Sequence, residues 1–171
     1  MSKLKEIYKL ENSNLIIFDG DIGIDLKSDL KIQKKSLFYE DKNLLAEIFY
    51  HKNLLHGPVI YYSKAKDILS KSWFFLGKKQ GKSYKYYISK KLYSIEQYKD
   101  DLMQKEQRYY FEDGSIKTSM NYLAGCLHGE VKLFYEKNKL KRFLIFEKGK
   151  KVQDTIFDTK ENPIDESKFL V

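Results

Sequence analysis

The chain repeats itself every 24 residues. Segments 34–57, 58–81, 82–105, 106–129 and 130–153 align without a gap, and residues 154–164 begin a sixth, partial copy. A fixed period of this length marks an array of one supersecondary unit, each copy burying its apolar side against its neighbours. With positions numbered 1 to 24 in each copy, position 5 is Phe38, Tyr62, Tyr86, Tyr110 and Phe134. Position 11 is Leu44, Ile68, Leu92, Ile116 and Leu140, and position 17 is Tyr50, Phe74, Tyr98, Tyr122 and Phe146. Turn formers such as Asp113-Gly114 and Lys137-Asn138 separate positions 5 and 11. A second corner falls at positions 19–20: Lys52-Asn53, Leu76-Gly77, Asp100-Asp101, Ala124-Gly125 and Lys148-Gly149. Gly, Asn and Asp tolerate the positive φ that tight corners require.

Each copy therefore reads as strand, turn, strand, turn. Corners every dozen residues or fewer leave no room for a sustained i, i+3, i+4 helical pattern. Positions 11, 13, 15 and 17 share parity and are expected on one side of the sheet. The expected fold is all-β: an extended, twisted antiparallel sheet of ten strands from five hairpins, each hairpin dependent on its neighbours. Composition agrees, because 15% of residues are aromatic and only two are Pro, which favours long unbroken strands.

Residues 1–33 lie outside the register and are read as an N-terminal cap. Apolar runs on either side of Asp19-Gly20 predict a β-hairpin, and a short helix is expected over residues 2–10, with Ser2 as its cap and Leu4, Ile7 and Tyr8 on one face. In the sixth copy Ile164 falls in the position-11 column, and Pro163 and acidic residues break the pattern, as a C-terminal cap should; residues 165–171 are read as an acidic tail. The beginning of the chain lacks the apolar core of a secretory signal, and the single Cys126 excludes an intramolecular disulfide framework, so a reducing cytoplasm is expected.

These columns resemble the MORN repeat, in particular the variant of bacterial YwqK-type antitoxin proteins, which pairs aromatics, an Asn/Asp-Gly turn, an apolar residue, an aromatic and a closing Gly. The nearest matches are FYEDKNLLAEIFYHKNLLHG, YYFEDGSIKTSMNYLAGCLHG and LFYEKNKLKRFLIFEKGKK, and the resemblance spans 34 to about 164. The pattern departs at Lys105 and Gln153, where the closing Gly is missing, and at Lys66, Lys90 and Lys139, where the turn Gly is missing. The resemblance implies a ribbon of β-hairpins that serves as an interaction or scaffold module toward proteins or anionic lipids, with an antitoxin's paired toxin as one such partner.

Nothing in the sequence points to catalysis, a cofactor or a metal. His56 and His128 both occupy position 23, three copies apart, which reads as a repeated corner rather than a ligand pair. Cys126 has no Cys or His cluster around it, and Gly77–Gly81 lies between strands with no helix to follow, so neither reads as a nucleophile or a phosphate loop. Charge is more informative. The net charge is +8, and residues 64–91 hold Lys64, Lys66, Lys71, Lys78, Lys79, Lys82, Lys85, Lys90 and Lys91 against the one acid Asp67. Trp73 and Tyr84 sit among them. These eleven residues are the candidate partner-binding set: a basic, aromatic-rich surface for neutralising or scaffolding a partner protein with an acidic face, such as a toxin or a nucleic-acid-processing enzyme, in the manner of an antitoxin or inhibitor. Lys interleaved with aromatics also suits nucleic acid or an anionic membrane, but the segment has no Arg, the usual bidentate reader of phosphate and base edges. Exposed strand edges leave self-association into a scaffold as a third reading.

Overall fold

The computed structural model describes the backbone of residues 5–10, 13–18, 21–25 and 33–164, with side chains for residues 33–164. Within these residues the protein is all-β, with a single 3₁₀ turn at Glu136–Asn138. At the N-terminus β1 (Lys5–Leu10), β2 (Ser13–Phe18) and β3 (Asp21–Asp25) form a three-stranded antiparallel sheet of their own. The hairpin around residues 19–20 has the expected register, Phe18 opposite Asp21, while the turn itself lies outside the described residues. Of the helix expected over residues 2–10, residues 5–10 form β1 instead, and Ser2 and Leu4 lie outside the described residues. Tyr8 pairs with Leu15 and Ile7 with Ile16, so a hairpin ladder overrides a short segment's weak helical pattern. The acidic tail lies outside the described residues.

All remaining strands belong to one open antiparallel sheet. In chain order these are β4 (Gln33–Phe38), β5 (Leu44–His51), β6 (Leu54–Tyr62), β7 (Ile68–Phe75), β8 (Lys78–Tyr86) and β9 (Leu92–Lys99). There follow β10 (Leu102–Met103), β11 (Lys105–Tyr110), β12 (Ile116–Leu123), β13 (Cys126–Phe134), β14 (Leu140–Glu147) and β15 (Lys150–Ile156). Consecutive strands are neighbours throughout, and β10 and β11, both paired with β9, are two halves of one interrupted strand. The sheet thus has one strand position more than five hairpins supply, because the partial sixth copy contributes β15.

The corners are built alike. Positions 19 and 20 both have positive φ in every copy: Lys52 and Asn53, Leu76 and Gly77, Asp100 and Asp101, Ala124 and Gly125, Lys148 and Gly149. That is the signature of the two-residue turn whose twist matches its flanking strands. At the other turn the left-handed residue sits at position 9, occupied by Lys42, Lys66, Lys90, Gly114 and Asn138. The residue standing where a turn Gly belongs in the fifth copy is therefore Asn138, preceded by left-handed Lys137, and not Lys139; Lys42 is a further departure. A bulge recurs where each copy's position 5 meets position 11, as between Leu37 and Phe38. The added residue brings position 12 onto the side of positions 13, 15 and 17: Leu45 packs on Ala46, Ile48 and Val59, and Tyr93 meets Tyr109 edge-on. In the sixth copy the bulge opposite Ile145–Phe146 is one residue shorter than elsewhere. The register slips, so Pro163, not Ile164, takes the position-11 place, bridging Phe157.

Alternation divides the sheet into two faces. Positions 2, 4, 13, 15 and 17 form a packed face that holds the core residues Ala46, Ile48, Val59, Val131 and Leu144. Positions 1, 3, 14 and 16 form an open face, most of whose side chains are half-buried, with Lys34, Arg108 and Glu130 exposed and Ser119 buried.

Candidate functional site

Along the packed face, cross-strand pairs align positions 15 and 2 into one stripe: Ile48, Val59, Ser72, Ser83, Glu96, Gln107, Met120, Val131, Leu144. It is apolar at both ends and polar in the middle. Ser72 and Ser83 hydroxyls lie 2.5 Å apart. Glu96, 2% exposed, accepts from Lys85 Nζ at 2.9 Å, Tyr98 OH at 2.9 Å and Tyr109 OH at 3.2 Å. Lys79 Nζ stands 3.9 Å from Glu96 and 3.9 Å above the centre of the Tyr98 ring. Burial pushes the Glu96 carboxyl up, but the Lys85 and Tyr98 bonds and the two ammonium charges outweigh it and hold the group below its ordinary range. The same burial, reinforced by the carboxylate, raises both Tyr98 and Tyr109 phenols, so they remain donors. Burial lowers Lys79, with Glu96 opposing. Every partner in this cluster already has its counterpart, which makes the cluster a structural knot and not a reactive site.

Position 23 forms a second network, at the corners. His56 Nδ1 accepts from Leu76 N at 3.3 Å, Gln104 Oε1 from Ala124 N at 3.2 Å and His128 Nδ1 from Lys148 N at 3.4 Å, while Gln80 donates to Asp100 Oδ1 at 2.7 Å. Each spans 20 residues and staples one copy to the next corner. Position 20 adds a backbone bond to the preceding copy, as in Gly77 N to Leu55 O at 2.7 Å. At the opposite turns Tyr39, Tyr87 and Tyr135 donate to the carbonyls of Tyr62, Tyr110 and Phe157. His56 and His128 therefore do one mechanical job twice. Cys126 is free and exposed. Among the described residues no group of three or more His, Cys, Asp or Glu can hold a metal, and no helix is long and apolar enough to cross a membrane.

The eleven basic and aromatic candidates do not share one surface. Lys64, Lys66, Lys90 and Lys91 lie at the turns along one edge, where Lys90 pairs with Asp67 and Lys64 stands over the Tyr39 ring. Lys78 opens β8 at the opposite edge. Lys79 and Lys85 belong to the Glu96 knot. Only Lys71, Lys82, Trp73 and Tyr84 meet on the open face, where Lys71 lies over the Trp73 ring at 5.0 Å. Segment composition shows charge density but not facing; the bulges and the alternation decide facing.

What sequence reasoning missed lies next to those four. A groove of about 300 Å³ on the open face is lined by Lys82, Ile95, Gln97, Lys105, Glu106 and Arg108. Lys105 was visible only as a missing glycine. Position 24 is Gly57, Gly81 and Gly129 in other copies, with φ of 121°, 68° and 85°, and Lys105 takes the same left-handed conformation at 60°. For a side chain bearing a Cβ this costs about 1 kcal/mol. Gln107, 0% exposed, repairs the exposed backbone behind it. Its Oε1 accepts from Gln97 N at 2.7 Å, and its amide donates to the carbonyls of Gln97, Gln104 and Lys105. Arg108 pairs with Glu106 at 2.5 Å, and Glu106 also accepts from Ser119.

No protein family matches this chain, and no curated protein is significantly similar to it.

Proposed function

We propose that the chain is a non-catalytic, cytoplasmic β-repeat module of the MORN type that binds a partner protein, neutralising or scaffolding it as an antitoxin or inhibitor does. The observation that carries this reading is the open face. It carries Phe49, Ile60, Trp73, Tyr84, Ile95, Phe143 and Ile145, none of them fully buried, at positions 3, 14 and 16 of a sheet that β3 approaches at β8. Aromatic and aliphatic anchors within a polar surround are the composition of binding hot spots. The charges on this face are interspersed and largely paired: Lys34 with Glu47, Arg108 with Glu106, Lys132 with Glu130. Acids at this density oppose a uniform polyanion, whereas a protein surface can match localised charges.

Affinity capture from the native host with mass spectrometry, using the wild type and a Trp73→Ala, Tyr84→Ala, Lys71→Glu variant, tests the reading. A partner retained by the wild type and lost by the variant supports it; equal recovery overturns the assignment to this face. Charge reversal at Lys79 or Lys85 is the wrong probe, because both hold buried Glu96. The Lys71–Trp73 stack beside Tyr84 favours nucleic acid as the second reading. A salt series distinguishes the two, since binding a polyanion requires a steep loss of affinity with salt.

A further inference from the structure

Resting on that reading, we infer that the groove between β8, β9 and β11 is a carboxylate-binding subsite that seats an Asp or Glu side chain of the partner, with Lys105 as its specificity-determining residue. Three observations converge. The groove is lined by Ile95 and by Lys82 and Lys105, neither lysine paired with an acid among the described residues. Arg108 adds donors beyond the one that Glu106 occupies. Lys105 stands in a backbone conformation that its sister copies give to glycine, and the buried amide of Gln107 satisfies the carbonyls around it.

The occupant is a localised carboxylate rather than a phosphate chain. Glu106 forms part of the lining and repels a continuous polyanion, while a single carboxylate calls on only the two positive charges of Lys82 and Lys105. Ile95 is directly opposite Tyr84 on β8, and Tyr84 opposite Lys71 on β7. The partner segment that fills the groove therefore continues onto an aromatic surface, and an acidic residue followed by aromatic or aliphatic ones fits both.

The test is an amide-shift titration of the full chain with three probes: a short peptide of alternating Glu and Tyr, its Gln-for-Glu counterpart, and a single-stranded oligothymidine. The Glu peptide is expected to give saturable shifts at Gln97, Lys105 and Glu106, and the Gln peptide to bind about fivefold more weakly. Lys105→Gly, which restores the sister copies' residue, should keep or raise the melting temperature while weakening the Glu peptide about fivefold; Lys105→Arg should retain binding. Equal affinity of Lys105→Gly and wild type, equal affinity of the Glu and Gln peptides, or no saturable shift overturns the subsite. Shifts confined to Trp73 and Tyr84 overturn it while leaving the protein-binding reading standing. Tighter binding of the oligothymidine overturns both.

Discussion

His56 is 0% exposed, its Nδ1 accepts from Leu76 N, and its buried Nε2 has no hydrogen-bond partner among the described residues. Protonation removes the acceptor and places a charge beside His51, whose ring centre is 5.9 Å away. Burial, then His51, lowers the His56 pKa. The unfolded chain therefore binds the proton more readily, and stability falls as pH drops through about 6.5 toward the folded value. His56→Gln has natural precedents in Gln80 and Gln104 at the same position. The variant should fold and should lose part of the decline in melting temperature that the wild type shows between about pH 7 and pH 5; identical profiles would rule out the assignment. Glu96 makes the opposite case: removing it strands Lys85 and two phenols. Glu96→Ala should cost about 2–4 kcal/mol in urea unfolding, the lower figure being apt because Lys85 is half exposed.

At the level of the hairpin, two glycines separate conformational strain from crowding. Gly114 and Gly125 have φ of 90° and 82°, but a Cβ on Gly114 meets nothing within 4 Å, while one on Gly125 lies 3.1 Å from Leu102 Cδ2. Gly114→Ala should cost about 1 kcal/mol, and Gly125→Ala somewhat more, as thermal melts would rank them. The hairpin was also the most legible unit. The columns at positions 19 and 20 coincide with the left-handed pairs, because turn chemistry is local. Bulges were not legible: nothing in Leu44-Leu45 announces that Leu45 joins the packed row, since that depends on how β4 is paired. The one-residue slip before Pro163 is hidden for the same reason, and β1 is hidden because its partner β2 lies across a turn. The groove was half legible, as an irregularity at Lys105 whose purpose required Lys82 and Arg108 to be placed beside it.

Across the whole sheet, the stripe that is apolar at both ends and polar at its centre divides the array energetically. Glu96 and its partners contribute specificity of register more than net stability, because buried charge must recover its desolvation. Combining Glu96→Leu with Lys85→Val, Tyr98→Phe and Tyr109→Phe, which removes the carboxylate together with the ammonium and phenols bonded to it, should cost less in urea unfolding than Glu96→Ala alone. A combined variant as unstable as the single one would show that the polar centre is indispensable to folding.

The position-23 staples have a consequence for how such a chain can change length. Each joins one copy to an identical place in the next, so excising residues 58–81 leaves His56 facing Asp100 N, an equivalent backbone donor. In-frame loss or duplication of a whole unit among the first four copies, the outcome of slipped recombination between like stretches of gene, therefore leaves each position-23 staple a backbone donor to meet, whereas the fifth copy has Val152 there. The excised protein should fold with Lys82, Lys105 and Arg108 still together, and small-angle scattering should find it shorter by roughly 10 Å, the width of two strands. Copy number is then a ruler that selection can lengthen or shorten without redesigning what it measures.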